Sequence, residues 1–218
     1  MRNERGVTLV ELLAGIALTA IVIGTATLLL SSVIRLFGDE SQQYADDSQI
    51  QLTLNTMTAQ LKEATQVIAF SHGGDKELRY DHYNSSNTLV LKSLYFNEAE
   101  RKLTLFDFSQ DGTASNDTSD FANAAHTPTG APTKYSNPVD LSRMATSALF
   151  EALNSSSNRI PIPSTPYPAA STGQSASNRM LYLTFGFERS IVTATDGTKP
   201  SPVTKTMAVK LLADWTAK

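Results

Sequence analysis

The sequence predicts an α+β fold, a long N-terminal helix packed on an antiparallel β-sheet. Two observations predict it. An uncharged run over 12–34 is continued by an apolar stripe of helical period, and no proline occurs before Pro128. Further on, runs rich in β-branched, leucine and aromatic residues are joined by short polar connections, which leave no room for crossover helices.

The first part of the helix is a membrane segment by composition. Residues 12–30 are nineteen uncharged positions, close to the about 20 that cross a bilayer core. Arg2 and Arg5 precede the run and only Arg35 closely follows it, so the positive-inside tendency leaves the amino terminus in the cytoplasm and exports the rest. Further along, Ile50, Leu54, Met57 and Leu61 recur at spacings of three and four, with Asp46, Asp47, Gln51 and Lys62 between them. One helix is therefore expected from Val7 to about Ala64, with its exported half laid against a sheet. Gly38 is expected to loosen it near the membrane surface.

Glu11 stands out against this background. A charge inside a membrane helix costs roughly 2.5–3.5 kcal/mol on insertion scales and usually persists because a partner neutralises it. A secretory signal peptide has a shorter apolar region followed by a small-residue cleavage site, and the run here is too long. A plain signal anchor explains the helix but neither the carboxylate nor the glycine before it.

The segment Gly6-Val7-Thr8-Leu9-Val10-Glu11-Leu12-Leu13 closely resembles the cleavage and methylation motif of type IV prepilins and pseudopilins. The likeness covers about the first thirty residues and combines basic leader, glycine, spaced glutamate and apolar helix. The resemblance implies that a membrane aspartyl peptidase cuts after Gly6 and N-methylates Val7, which stands where phenylalanine is commonest. It also implies a role for Glu11 in assembly. Cutting creates an α-amine whose reference pKa is about 7.7–8.0. Glu11 and that amine lie more than a turn apart in one helix, so the better pairing joins two subunits and sets their axial stagger. Gly15 and Thr19, like Ala20 and Gly24, are four apart, a small-xxx-small spacing that lets helices approach in lipid. Small residues are also simply common in membrane helices. The proline that family members often carry midway along this helix is absent.

Strands are expected over 66–70, 77–83, 88–96 and 102–108, the last two joined as a hairpin through 97–100. A second hairpin pairs the alternating Leu181, Leu183, Phe185 and Phe187 with Met207, Val209 and Leu211, through a loop holding Asp196-Gly197 and Pro200. Between the hairpins, Asp140 could cap a short helix with Leu141, Met144, Ala148, Leu149 and Ala152 on one side. The expected organisation is a leader over 1–6, a membrane helix over 7–35, its exported continuation over 36–65, and a β domain over 66–218. Two polar loops, 109–137 and 154–178, interrupt that domain and read equally well as disorder or as partner contact. The long helix with antiparallel hairpins is also the pilin-like roll that the resemblance implies.

Composition narrows the chemistry. The net charge is −3, and setting aside Arg2, Arg5, Arg35, Glu4 and Glu11 leaves 15 basic and 19 acidic residues, a net −4. Such a domain has no basic footprint for nucleic acid. Without cysteine there is neither a disulfide framework nor a thiolate metal site. His72, His82 and His126 have no metal-ligand spacing, and no nucleophile elbow, phosphate loop or zinc-helix motif occurs. Asp107, Ser109, Asp111 and Gly112 follow a calcium loop, but its twelfth position is Thr118 instead of glutamate, so the stretch reads as a solvated turn. The sequence thus points away from an enzyme, with no catalytic residues, metal ligands or cofactor expected.

What the resemblance implies is a minor pilin or pseudopilin, similar to the W-type pilins or J-type pseudopilins. Glu11 separates it from the K-type tip subunit, which lacks the glutamate. Expected partners are the prepilin peptidase, other pilin or pseudopilin subunits, an inner-membrane assembly platform and the lipid bilayer. The filament could be a type IV pilus, a type II secretion pseudopilus or a competence pseudopilus. Two rival readings stay open: a signal-anchored binding domain that never assembles, and a tip adhesin or DNA-binding subunit.

Overall fold

The computed structural model describes residues 8–83, 89–108, 121–124, 127–128, 134–154, 156–165, 167, 179–189 and 202–211. Helix α1 (Leu9–Leu61) precedes β1 (Val67–His72), β2 (Asp75–Tyr83), β3 (Leu89–Asn97), β4 (Lys102–Phe108), β5 (Tyr135–Ser142), β6 (Ala145–Leu153), β7 (Arg159–Pro161), β8 (Met180–Phe187) and β9 (Val203–Lys210). The chain divides into two compact units, Met1–Ala45 and Asp46–Lys218.

In the first unit the helix exposes its large apolar side chains and is long and apolar enough to cross a membrane. Several of its hydroxyls are turned to the backbone: Thr19 donates to the Gly15 carbonyl at 2.8 Å, Thr27 to Ile23 at 2.8 Å and Ser32 to Leu28 at 3.0 Å. Each such bond spares a polar group that hydrocarbon could not satisfy. Gly38 does not interrupt α1. An isolated helical glycine costs only about 1 kcal/mol relative to alanine, which cooperative neighbours absorb.

In the second unit Ile50, Thr53, Met57 and Leu61 form the buried face of α1, one turn apart as the stripe predicts. Leu54 is only partly buried beside them. Thr53 Oγ1 donates to the Leu141 carbonyl at 2.6 Å. Two antiparallel sheets pack with this face, one in the order β1-β2-β3-β4-β5 and one in the order β7-β6-β8-β9. Leu78, Tyr80, Leu94, Phe96, Leu103 and Leu105 of the first meet Phe150, Leu181, Leu183, Phe185 and Phe187 of the second in the main core. Both expected hairpins are present, β3 with β4 and β8 with β9, the latter pairing Leu181 with Val209 and Leu183 with Met207. The β1–β2 turn is two residues long and places Gly73 at φ 66°, a conformation glycine adopts without the Cβ penalty. At the end of α1 the buried Asp81 carboxylate accepts from the Thr65 and Gln66 backbone N–H groups, each at 2.7 Å, and from the Thr65 hydroxyl.

The short helix expected after Asp140 is instead strand β6, at the centre of the second sheet between β7 and β8. Ala148, Phe150 and Ala152 alternate inward at period two, while Leu149 faces out and is 48% exposed. The helical spacing of Leu141, Met144 and Ala148 was real, but two flanking strands outbid local propensity. Asp140 caps nothing there. It lies in β5 and binds Lys102 Nζ at 2.9 Å and Arg143 Nη2 at 3.0 Å. Hydrogen bonds from Lys102 and then Arg143 hold its carboxyl below the ordinary value.

The far face of the first sheet carries a second core of Ile68, Phe70, Leu91, Phe108, Phe121 and Tyr135. At its centre Glu77 and Arg79, two apart on β2, are both fully buried. Arg79 Nε and Nη2 donate to the two Glu77 oxygens at 2.8 and 3.0 Å. Its Nη1 reaches the carbonyls of Phe121 and Asn123 at 3.1 and 2.8 Å, and Nη2 reaches the Tyr135 hydroxyl at 3.0 Å. Phe70 and Phe108 lie over the guanidinium, each 4.4 Å from ring centroid to Cζ. Ser93 and Tyr135 donate to Glu77 Oε1 at 2.7 and 2.9 Å. Burial, and next the Glu77 carboxylate, push the Tyr135 phenol far up. Phe121 and Tyr135 fall inside the expected polar loop 109–137, which is thus tied to the domain at these points.

Each sheet edge carries a blocking device. β1 is covered by Pro163 and Tyr167: Val67 and Tyr167 exchange backbone bonds at 2.8 Å and Ala69 N donates to Pro163 O at 3.2 Å. β5 contains Pro138, a left-handed Asn137 at φ 49° and two register shifts. β7 has three residues and ends in Pro161. On β9, Lys205 stands opposite the buried Phe185, an inward-pointing charge of the kind that spoils edge pairing.

Candidate functional site

Gly6 and Val7, the expected cleavage and methylation residues, lie outside the described residues, which begin at Thr8. Thr8 is the residue at which α1 starts, because its carbonyl accepts the first helical bond, from Leu12 N at 3.1 Å. The first turn leaves N–H groups without intrahelical acceptors. Thr8 and Glu11 answer this reciprocally. The Thr8 backbone N–H donates to Glu11 Oε2 at 3.3 Å, and Glu11 N–H donates to Thr8 Oγ1 at 3.3 Å. The Thr8 hydroxyl donates to the same Glu11 oxygen at 3.4 Å. Thr8-Leu9-Val10-Glu11 is therefore a capping box, with an anion at the positive end of a helix.

Glu11, Gly15 and Thr19 line one open groove along the helix together with Leu12, Ile16, Ala20 and Ile23. This brings together four of the five residues expected to act in assembly and packing, Glu11, Gly15, Thr19 and Ala20. Gly24 is not among the groove residues. A Cβ added at Gly15 or at Gly24 would meet nothing within 4 Å. No packing among the described residues requires either glycine.

Residues 1–27 match the family model of the prokaryotic N-terminal methylation motif. Together with the long apolar helix, this match is consistent with a type IV prepilin-like protein. No curated protein matches it. A prepilin-like motif implies processing by a prepilin peptidase and assembly with other pilins, and suggests a structural subunit in place of an enzyme. The apolar helix fits a membrane-anchored protein.

Elsewhere the sites considered in the sequence separate. His72 ends β1, with Nε2 3.7 Å from Glu77 Oε2, and stacks on Phe70. His82 belongs to β2, and His126 lies outside the described residues. Of the calcium-like stretch only Asp107 is described among its carboxylates, and it binds Lys92 Nζ at 3.3 Å and Asn137 Nδ2 at 2.8 Å. Among the described residues no group of three or more His, Asp or Glu could hold a metal ion. The capping relation of Thr8 to Glu11 was missed in the sequence reading, although Thr-x-x-Glu before an apolar run is its signal.

Proposed function

We propose that the chain is a minor pilin or pseudopilin. It is cut after Gly6, methylated on Val7, held in the cytoplasmic membrane by α1, and packed through that helix into a type IV pilus or a secretion or competence pseudopilus. The observation that carries this reading is the methylation motif over 1–27 with Glu11 on an otherwise uncharged helix start. Within a filament, Glu11 pairs with the terminal amine of a neighbouring subunit, because each is an uncompensated charge in lipid until the other arrives. Gly15, Thr19, Ala20 and Gly24 let helices approach closely. The β domain stands outside the membrane.

Intact mass of the protein from membranes containing the peptidase tests the first step. The expected species lacks residues 1–6 and carries one methyl group. A chain still beginning at Met1 overturns the reading in favour of a signal-anchored domain. Glu11→Ala tests the second step. It should be cut normally yet lost from filaments, whereas for a plain anchor the same change only eases insertion.

A further inference from the structure

We infer that Thr8 positions the Glu11 carboxylate for the contact between subunits, an inference that rests on the assembly role proposed above. Both donors from Thr8, its backbone N–H at 3.3 Å and its hydroxyl at 3.4 Å, converge on Oε2. Oε1 has no partner among the described residues. Among the described residues, one oxygen of the carboxylate is thus held against its own helix while the other is left for an incoming cation. The hydroxyl works in both directions, accepting from Glu11 N–H at 3.3 Å while donating to Oε2. A glutamate on a free side chain samples several rotamers, and fixing it has an entropic cost at the moment of contact. The capping box fixes it beforehand, on the subunit that waits in the membrane. It also gives the carboxylate two hydrogen-bond donors during that wait, when no neighbour is present to neutralise it.

Capping the helix and aiming the carboxylate are separable by substitution. Serine at position 8 keeps both the acceptor for Glu11 N–H and the donor for Oε2. Aspartate keeps the acceptor, and so caps the helix, but has no hydroxyl to donate and sets a second negative charge against Glu11. Valine keeps the shape and loses both. The experiment uses the full chain in a host with its peptidase and filament machinery, and scores the fraction of correctly cut protein recovered in sheared filaments.

Thr8→Ser is expected to incorporate like the natural chain, while Thr8→Asp and Thr8→Val fall by about tenfold, the worth of a hydrogen bond to a charged group. Incorporation of Thr8→Asp at the Thr8→Ser level would overturn the inference, since helix capping alone would then suffice. Normal incorporation of Thr8→Val would overturn it as well. Glu11→Ala run in parallel separates the two levels. If Glu11→Ala is lost from filaments while Thr8→Val is not, only the positioning role falls. If Glu11→Ala incorporates normally, the assembly role falls and takes this inference with it.

Discussion

Replacing Arg79 by methionine should remove a large part of the stability of the β domain. The substitution keeps an unbranched side chain between the rings of Phe70 and Phe108 but deletes the cation that both Glu77 oxygens bind. Glu77 has no exposure to water through which to recover the loss. Breaking a buried pair in this way costs about 3–5 kcal/mol, against about 5–15 kcal/mol for a whole domain. With a urea slope near 2 kcal/mol per molar, the unfolding midpoint should fall by about 2 M. Urea titration of the unit beginning at Asp46, followed by circular dichroism, reads this directly. Adding Glu77→Leu removes the orphaned charge, so the double variant should recover about half of the loss, and the cycle should report strong coupling. A single-variant shift under about 0.5 M, or a double variant whose losses simply add, would refute the view that the pair is one interlocked unit.

Three other outcomes are expected. Gly15→Ala should leave the helicity of the membrane segment unchanged, since a Cβ there meets nothing within 4 Å, yet lower filament incorporation if a neighbour's helix packs at that point; circular dichroism in detergent and recovery in sheared filaments check the two halves. Gly186→Ala should destabilise the domain by about 1–2 kcal/mol in thermal unfolding, because its Cβ would come 2.6 Å from Ser147 Oγ and 2.7 Å from Thr146 Oγ1, and Ser147→Ala should relieve part of this. For Asp140 the folded carboxyl is held below its ordinary value of 3.8, so its contribution is complete above that value and is lost as the pH falls through the lower folded one. Lys102→Met should raise the Asp140 midpoint toward 3.8 in a carboxyl-detected NMR titration, and an unmoved midpoint would show that Lys102 is not its main cause.

Local signals were legible in the sequence. The methylation motif, the long helix and both hairpins rest on spacings of a few residues; the helix and the first hairpin appear within three positions of their expected bounds, and in the second hairpin β9 begins four residues before Met207. Where two periods competed, the reading failed. The stretch after Asp140 holds apolar residues at three and four apart and also at two apart, and only the sheet partners β7 and β8 select between them. Glu77, Arg79 and Asp81 alternate with Leu78 and Tyr80, which is the ordinary pattern of a half-solvated strand. Nothing within β2 announces that Phe121, Asn123 and Tyr135, more than forty residues away, return to bury its polar face. At the amino terminus Glu11 was legible as an anomaly needing a cation. Its bond to Thr8 is equally local, carried by a hydroxyl three residues before it.

The blocked sheet edges bear on how any array of this domain comes apart. Main-chain ladders between subunits are cooperative and slow to undo, as cross-β assemblies demonstrate. With β1 covered, β5 interrupted by Pro138, β7 ending in Pro161 and β9 carrying Lys205 inward, neighbouring domains in the filament proposed above would meet through side chains and helices. A polymer joined in that way would lose its end subunit without unzipping the rest, because no main-chain ladder would tie one domain to the next.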